Sequence, residues 1–379
     1  MAQQLRSSYW EHDTYFKHYD IIIIGGGLVG LSTALALSEQ DDKLNIAVLE
    51  RGAIPTGAST RNAGFACFGS ISELASDLKS MSSEELKALI QMRKSGLDHL
   101  RSLVEDQVMD YEEDGGFEYF MPGEEDLHEI CINQINEFNQ LVFEATGLKD
   151  TFEEIQASEA DIPSRLSLIK NNHEGQLHPA KMVQALVEKV GKVAALFFGA
   201  EVASIDESDR SITVKLMDSR EIHCDKLIHA TNGFTKHLKE VKDVRPVRNQ
   251  VFVTSPLTTI PWKGCYHLNE GFIYFRRVGN RILIGGARNK FETEDTGSFG
   301  MSEDVETYLR TFLEQQLMVK EPFQFESKWS GILAVGSQKK PIIRQVSDRQ
   351  FIGIRMGGMG IAIGSLVGKE LAKLVITNA

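Results

Sequence analysis

The residues best placed to do chemistry in this chain are three glycines, Gly25-x-Gly27-x-x-Gly30, followed by Glu50 twenty residues after the third. Each glycine in such a spacing has a task. Gly25 permits a tight turn, Gly27 lets backbone approach a pyrophosphate, and Gly30 lets a helix close on a strand. A helix opening here points free N–H groups and the positive end of its dipole at phosphate oxygens. Glu50, at the end of the next strand, can accept hydrogen bonds from both hydroxyls of a ribose. Glycines alone would serve any tight turn, so the context decides. Ile21-Ile22-Ile23-Ile24 precedes them as a short β-branched run, and LVGLSTALALSE follows with helical character. The expected unit is βαβ, and the expected ligand is a dinucleotide.

Other chemistries fail on spacing. There is no GxSxG nucleophile elbow, no HExxH helix and no GxxxxGK[ST] loop. Cys67, Cys131, Cys224 and Cys265 lie far apart, so no CxxC pair offers zinc two ligands from one turn; no metal is expected, and free thiols suit a reduced compartment. His178, directly before Pro179, reads as a helix-start residue rather than a base. Asp and Glu (53) outnumber Lys and Arg (41), and no basic stripe is present, so nucleic acid is not an expected partner.

The elements that must position these residues follow from length and pattern. At 379 residues, 42% apolar and 25% charged, the chain folds around two or three cores. Residues 21–38 carry no charge and reach the length of a membrane span, but Gly25, Gly26 and Gly27 would break such a helix at its centre. The polar N-terminus lacks the apolar core of a signal peptide, and a cytoplasmic location is expected. After the second strand, residues 45–49, the chain turns helical and charge-rich over 70–159, with Ser82 or Ser83 as a cap. A helix AKMVQALVEKVGKVAAL follows His178-Pro179. Strands at 201–205, 211–216 and 226–229 return to the first domain. Strands at 247–254, 271–277 and 281–285 suggest an antiparallel sheet outside it, and a last strand at 351–354 leads to a helix over 361–375.

Taken in order, IIIIGGGLVGLSTALAL, VLERG, GASTRNAGFA, QLHPAKMVQAL, EVASI, LIHATNGF, VRPVRNQVFVT, IYFRR with LIGGA, and GMGIAIGSLVGKELAKLV resemble the D-amino-acid oxidase-like family of FAD-dependent oxidoreductases. The likeness is nearest to the glycine oxidase, sarcosine oxidase and γ-glutamylputrescine oxidoreductase branches, and it is thinnest between about 72 and 170. It implies an α/β fold: a discontinuous Rossmann-like FAD-binding domain with a parallel sheet (1–75, 172–240 and 330–379) and an inserted α+β substrate domain on an antiparallel sheet (76–171 and 241–329). By the same resemblance, Val29 and Arg51 join the glycines and Glu50 at the cofactor. Ser59, Arg61, Asn62, Ala63 and Gly64 run beside the pyrophosphate, ribityl chain and ring. Val202 pairs its backbone with adenine, and Thr231 and Gly233 bring the chain back past the cofactor. Gly358 and the amides of Met359, Gly360 and Ile361 meet the flavin where negative charge develops on reduction. Cys67 is not expected to carry the flavin covalently.

For the substrate the resemblance points to Tyr274 and Arg276, two apart and so on one face of a strand, with Arg288 and His267 beside them. Two departures stand out. Relatives clamp a substrate carboxylate with two arginines, and the nearest positions here are Leu333 and Gly358. The implied reaction is oxidation of the C–N bond of an amine or amino acid by hydride transfer to flavin N5, with the imine then hydrolysed. Oxygen, a quinone or an electron-transfer protein takes the electrons onward, because a single dinucleotide fingerprint leaves no site for NAD(P)H. The alternatives are a 2-hydroxyacid or polyol dehydrogenase on the same fold, and a non-catalytic FAD-bound assembly or binding protein.

Overall fold

The isoleucine run forms the central strand of a parallel sheet, as its β-branched, uniformly apolar character requires of a strand covered on both faces. In the computed structural model, which describes residues 7–235, 238 and 241–378, His18–Ile24 pairs in parallel with Ile46–Glu50 on one side and with Glu221–His229 on the other. Residues 1–6, 236, 237, 239, 240 and 379, which belong to the polar N-terminus and to the ends of segments 172–240 and 330–379, lie outside the described residues. Ala195–Phe198 and Gln350–Ile354 extend the parallel order at either end. Antiparallel Ile342–Gln345 closes one edge, and Val202–Glu207 with Ile212–Leu216 forms a flap on Glu221–His229, making eight strands.

Helices cover this sheet. Leu28–Gln40 packs against the C-terminal helix Gly360–Thr377, which packs in turn against Ser83–Leu103. The last contact is close enough that a Cβ on Gly96 would lie 2.0 Å from the Ala362 carbonyl oxygen. Ser82 and Glu85 form a reciprocal capping box that fixes where Ser83–Leu103 begins.

The second sheet also has eight strands. Its order runs Phe325–Val335, Arg245–Thr254, Arg281–Gly286, Ile273–Val278, Cys265–Leu268, Gly116–Glu118, Leu168–Asn171 and Phe152–Ile155. All neighbours are antiparallel except Cys265–Leu268 with Gly116–Glu118. One face carries stacked Phe117, Tyr266 and Phe275 rings, covered by Val305, Leu309, Phe312 and Leu313 of the helix Glu303–Gln315. The fold is thus α/β, a Rossmann-like domain with a second domain on a mainly antiparallel sheet.

Three expectations change. The helix after His178 stops at Val190, before Gly191, and Ala195–Phe198 is a strand beside Ile46–Glu50. Phe325–Val335 and Ile342–Gln345 are strands with no counterpart in the sequence reading. The boundary expected at residue 76 cuts through the packing: Leu86, Leu89, Ile90, Phe138 and Leu141 share a core with the helices of the first sheet, whereas Gly116–Glu118 and Phe152–Ile155 join the second. Among the described residues no helix is long and apolar enough to cross a membrane.

Candidate active site

The glycine motif forms a cradle. Gly25, at φ 112°, turns the chain sharply out of the strand, and its N–H donates to the Leu49 carbonyl at 2.8 Å. A Cβ on Gly27 would lie 2.9 Å from Ser59 Oγ, and that same hydroxyl accepts from Leu28 N at 2.9 Å. The cofactor loop therefore reaches the start of the helix Leu28–Gln40 through Ser59. Glu50 accepts from Gly26 N (3.1 Å) and Gly52 N (2.9 Å), which fixes its carboxylate at the strand end while leaving further lone pairs to accept.

The cradle opens into a cavity of about 1220 Å³, beyond the ~300–1,000 Å³ of most small-molecule sites and so roomy enough for a cofactor with a substrate. Every residue assigned to the cofactor from sequence lines it except Gly30 and Gly64. Those two act through packing. Gly30 seats the helix on the Gly25 carbonyl, and Gly64, at φ 79°, passes against the Leu177 carbonyl. Arg61 and Asn62 mostly build the loop. Arg61 Nη1 donates to Ser330 O at 3.0 Å, Trp329 Nε1 returns a bond to Arg61 O at 3.0 Å, and Asn62 bridges Ala58, Ser59 and Gly64. Arg51 stacks on Phe234 at 4.0 Å. At the far end the Met359 amide is turned back to Met356 O, so among the three amides expected to face a ring only those of Gly360 and Ile361 are left free by the helix start.

Beside the second sheet, Tyr274 lines the cavity, its hydroxyl accepting from Asn249 Nδ2 at 3.0 Å and its ring edge-on to Phe65. Burial raises the pKa of the phenol, which keeps its proton. Arg288 also lines the cavity, its guanidinium 4.6 Å over the Phe272 ring, and among the described residues no carboxylate lies within ion-pair distance of it. Burial lowers its pKa, as does nearby Arg245. His267 reaches the same wall. Burial would lower its pKa, but Glu174, with Oε2 3.6 Å from Nε2, raises it to about 9.

Arg276 is elsewhere. It does not line the cavity; its Nε donates to the Ala63 carbonyl at 2.6 Å and its Nη2 to the Leu177 carbonyl at 3.1 Å. This corrects its assignment to the substrate: on the same strand face as Tyr274, its guanidinium is taken up by the loop backbone instead of the cavity. Leu333 and Gly358 do line the cavity, so the positions where relatives carry arginines are part of its wall.

The sequence reading missed Asn249, Phe65, Phe272 and an acidic group at another part of the wall, Glu73 and Asp77 with Lys339. Lys339 Nζ lies 2.9 Å from Glu73 and 2.6 Å from Asp77, and buried Arg93 pairs with Glu73 at 3.0 Å. Asn249 was discoverable, because it shares a strand face with Val251 and Val253. Glu73 and Lys339 were not, being far apart in the chain.

Fold and cradle together define a dinucleotide-binding protein whose cavity runs from the cradle to the second sheet. The profile of the DAO family, FAD dependent oxidoreductase, matches residues 20–374, and the chain belongs to that family. The probable oxidoreductase OrdL of Haemophilus influenzae is 21% identical over 374 residues, covering 96% of this chain and 84% of that protein. The structure of glycine oxidase from Geobacillus kaustophilus superposes with a TM-score of 0.75 at 19% identity, covering 95% of each chain. That of L-proline dehydrogenase from P. horikoshii gives 0.72 at 17%, covering 95% of this chain and 94% of that one. The protein is an FAD-dependent oxidoreductase, and its residues fit that cofactor. Glu50 offers acceptors, the side-chain-free edge of Gly27 and the first-turn amides of two helices offer donors, and the buried Thr231 Oγ1, which has no hydrogen-bond partner among the described residues, belongs to a residue lining the same cavity.

Proposed function

We propose that this enzyme oxidises the C–N bond of an amine or amino acid that carries an anionic group, and that Arg288 anchors that group. The supporting observation is Arg288 in the cavity wall, its guanidinium stacked on Phe272 and without a carboxylate partner among the described residues. A partly buried cation in that state suits an anionic ligand. It also answers the absence of arginine at Leu333 and Gly358. Glycine oxidase and L-proline dehydrogenase, both similar in fold, act on amino acids by their names.

When bound, the flavin supplies the acceptor for a hydride. The chain would hold FAD through Gly27, Glu50, Ser59, Thr231, Gly360 and Ile361. Arg288 fixes the anionic end of the substrate, and Tyr274 donates its proton in a hydrogen bond while Asn249 sets the orientation of its hydroxyl. Phe65 and Phe272 supply apolar walls that limit water near the reacting carbon.

The test is anaerobic bleaching of the flavin band by a panel of amino acids, amines, 2-hydroxyacids and polyols, repeated with Arg288→Gln. An amino acid or acidic amine should bleach it, and the variant should keep its FAD while losing roughly 10- to 150-fold in reduction efficiency with that substrate, the equivalent of a lost charge-assisted bond. Bleaching by hydroxyacids or polyols alone would overturn the amine assignment. An unchanged rate in Arg288→Gln would remove that residue from the site.

A further inference from the structure

Spacing along the chain offered no metal ligands, yet the fold brings three together. Cys67 Sγ, one carboxylate oxygen of Glu174 and one ring nitrogen of His267 all lie within 4.8 Å of one another. They come from the end of the cofactor loop, from the turn before Gly175–Gln176 and from Cys265–Leu268 of the second sheet. We propose that Cys67, Glu174 and His267 form a zinc-type divalent cation site in the wall of the flavin cavity.

Two features of the carboxylate carry this beyond a chance cluster. Glu174 is fully buried, and its two oxygens are treated differently. Oε1 accepts from Phe68 N (2.9 Å) and Gly69 N (3.0 Å), which fixes the side chain, whereas among the described residues Oε2 has no hydrogen-bond partner. Oε2 points at His267 Nε2, which is also without a hydrogen bond, across 3.6 Å. That gap is too long for a hydrogen bond; it is an ion pair while the imidazole is charged, and it equally suits two atoms sharing one metal ion that displaces the imidazole proton. A buried oxygen left over after its sister has been carefully satisfied calls for a ligand. On its far side the oxygen is closed off by backbone, since a Cβ on Gly116 would lie 2.1 Å from Oε2.

The donor set chooses the ion. One thiol, one imidazole and one carboxylate match the sulfur, nitrogen and oxygen ligands of zinc, whereas magnesium and calcium need a shell of oxygens that this site does not offer. Cys265 Sγ lies on the same carbonyl as Cys67 Sγ, that of Gly175, at 3.2 Å against 4.0 Å, so a second sulfur is at hand. Cys67 and His267 also border the main cavity, which gives an ion a route in and leaves an exchangeable position for water or a ligand oxygen. The inference does not depend on which substrate is oxidised.

The test uses the FAD-loaded protein, treated with chelator under reducing conditions and then titrated with Co²⁺ alone. One cobalt per chain should bind, with tetrahedral d–d absorption to the red of the flavin band and a thiolate charge-transfer signal. Zinc should displace both. In a Cys265→Ala background, where no second sulfur can substitute, Cys67→Ser should abolish the charge-transfer signal, and both Cys67→Ser and Glu174→Gln, which keeps an oxygen for Phe68 and Gly69, should weaken cobalt binding by more than about tenfold. Cys131→Ala should bind like wild type. FAD content and melting temperature verify folding, and the wild-type spectrum reads out the thiolate even where a variant fails to fold. Absence of stoichiometric cobalt, or a bound cobalt without thiolate character, would overturn the proposal.

Discussion

Arg276 Nε and the Ala63 carbonyl oxygen lie 2.6 Å apart, so a side chain of the second sheet holds the backbone of the cofactor loop. Arg276→Ala should therefore lower melting temperature and FAD retention together, because each charge-assisted bond contributes roughly 1.5–3 kcal/mol and the freed carbonyls stay buried. FAD content and thermal unfolding measure this. A variant that keeps its flavin and its stability while reducing slowly would return Arg276 to the substrate.

Tyr274→Phe keeps the ring against Phe65 and removes only the hydroxyl. Loss of a neutral hydrogen bond, about 0.5–1.5 kcal/mol, predicts a roughly 2- to 13-fold slower anaerobic reduction with unchanged FAD content. The pH profile should show no Tyr274 ionisation across the neutral range, since burial raises its pKa.

Gly27→Val should abolish cofactor binding, because even its first carbon meets Ser59 Oγ at 2.9 Å and the rest occupies the pyrophosphate space. Glu50→Ala should weaken binding less, although it also frees the amides of Gly26 and Gly52. Flavin occupancy after gel filtration distinguishes them. Acid or heat should release unmodified FAD from the wild type.

Glu73 gives the acid limb of stability a sign. Burial would raise its pKa, but Arg93 and Lys339 hold it down at about 2 against an ordinary 4.5. A depressed carboxylate contributes above its unfolded pKa and loses that contribution as pH falls through the folded one. Stability should therefore decline between about pH 4.5 and 2, by on the order of 3 kcal/mol from this group. Glu73→Gln should flatten that part of the curve in chemical denaturation and lower stability at pH 7.

The cradle was legible because its signal is local. Ile21 to Glu50 contains strand, turn, helix and the next strand, and each states its role in its own composition. Ala195–Phe198 was not legible, since ALFF after KVGKV carries helix and strand character alike and only Ile46–Glu50 beside it decides. The same limit explains Arg276. Period-two spacing correctly put it on the face of Tyr274, but which side chain ends in the cavity and which on the loop backbone depends on Ala63 and Leu177, more than eighty residues away in the chain. Glu174, Cys67 and His267 share no motif: Cys67 and Glu174 meet where Phe65–Ala66 pairs with Gly175–Gln176, and Cys265–Leu268 of the second sheet brings His267 against them.

The pairing of His18–Ile24 with Glu221–His229 has a kinetic consequence. The central strand can find Ile46–Glu50, joined to it by a single helical crossover, early, but its other edge stays open until a strand some two hundred residues downstream arrives. Closing so long a loop before any reward makes refolding slow, and in the interval an all-isoleucine edge is exposed to other chains. Refolding from denaturant should thus be slow and strongly dependent on protein concentration. Yield should improve when FAD is present, by drawing off the folded form from a population otherwise lost to aggregation.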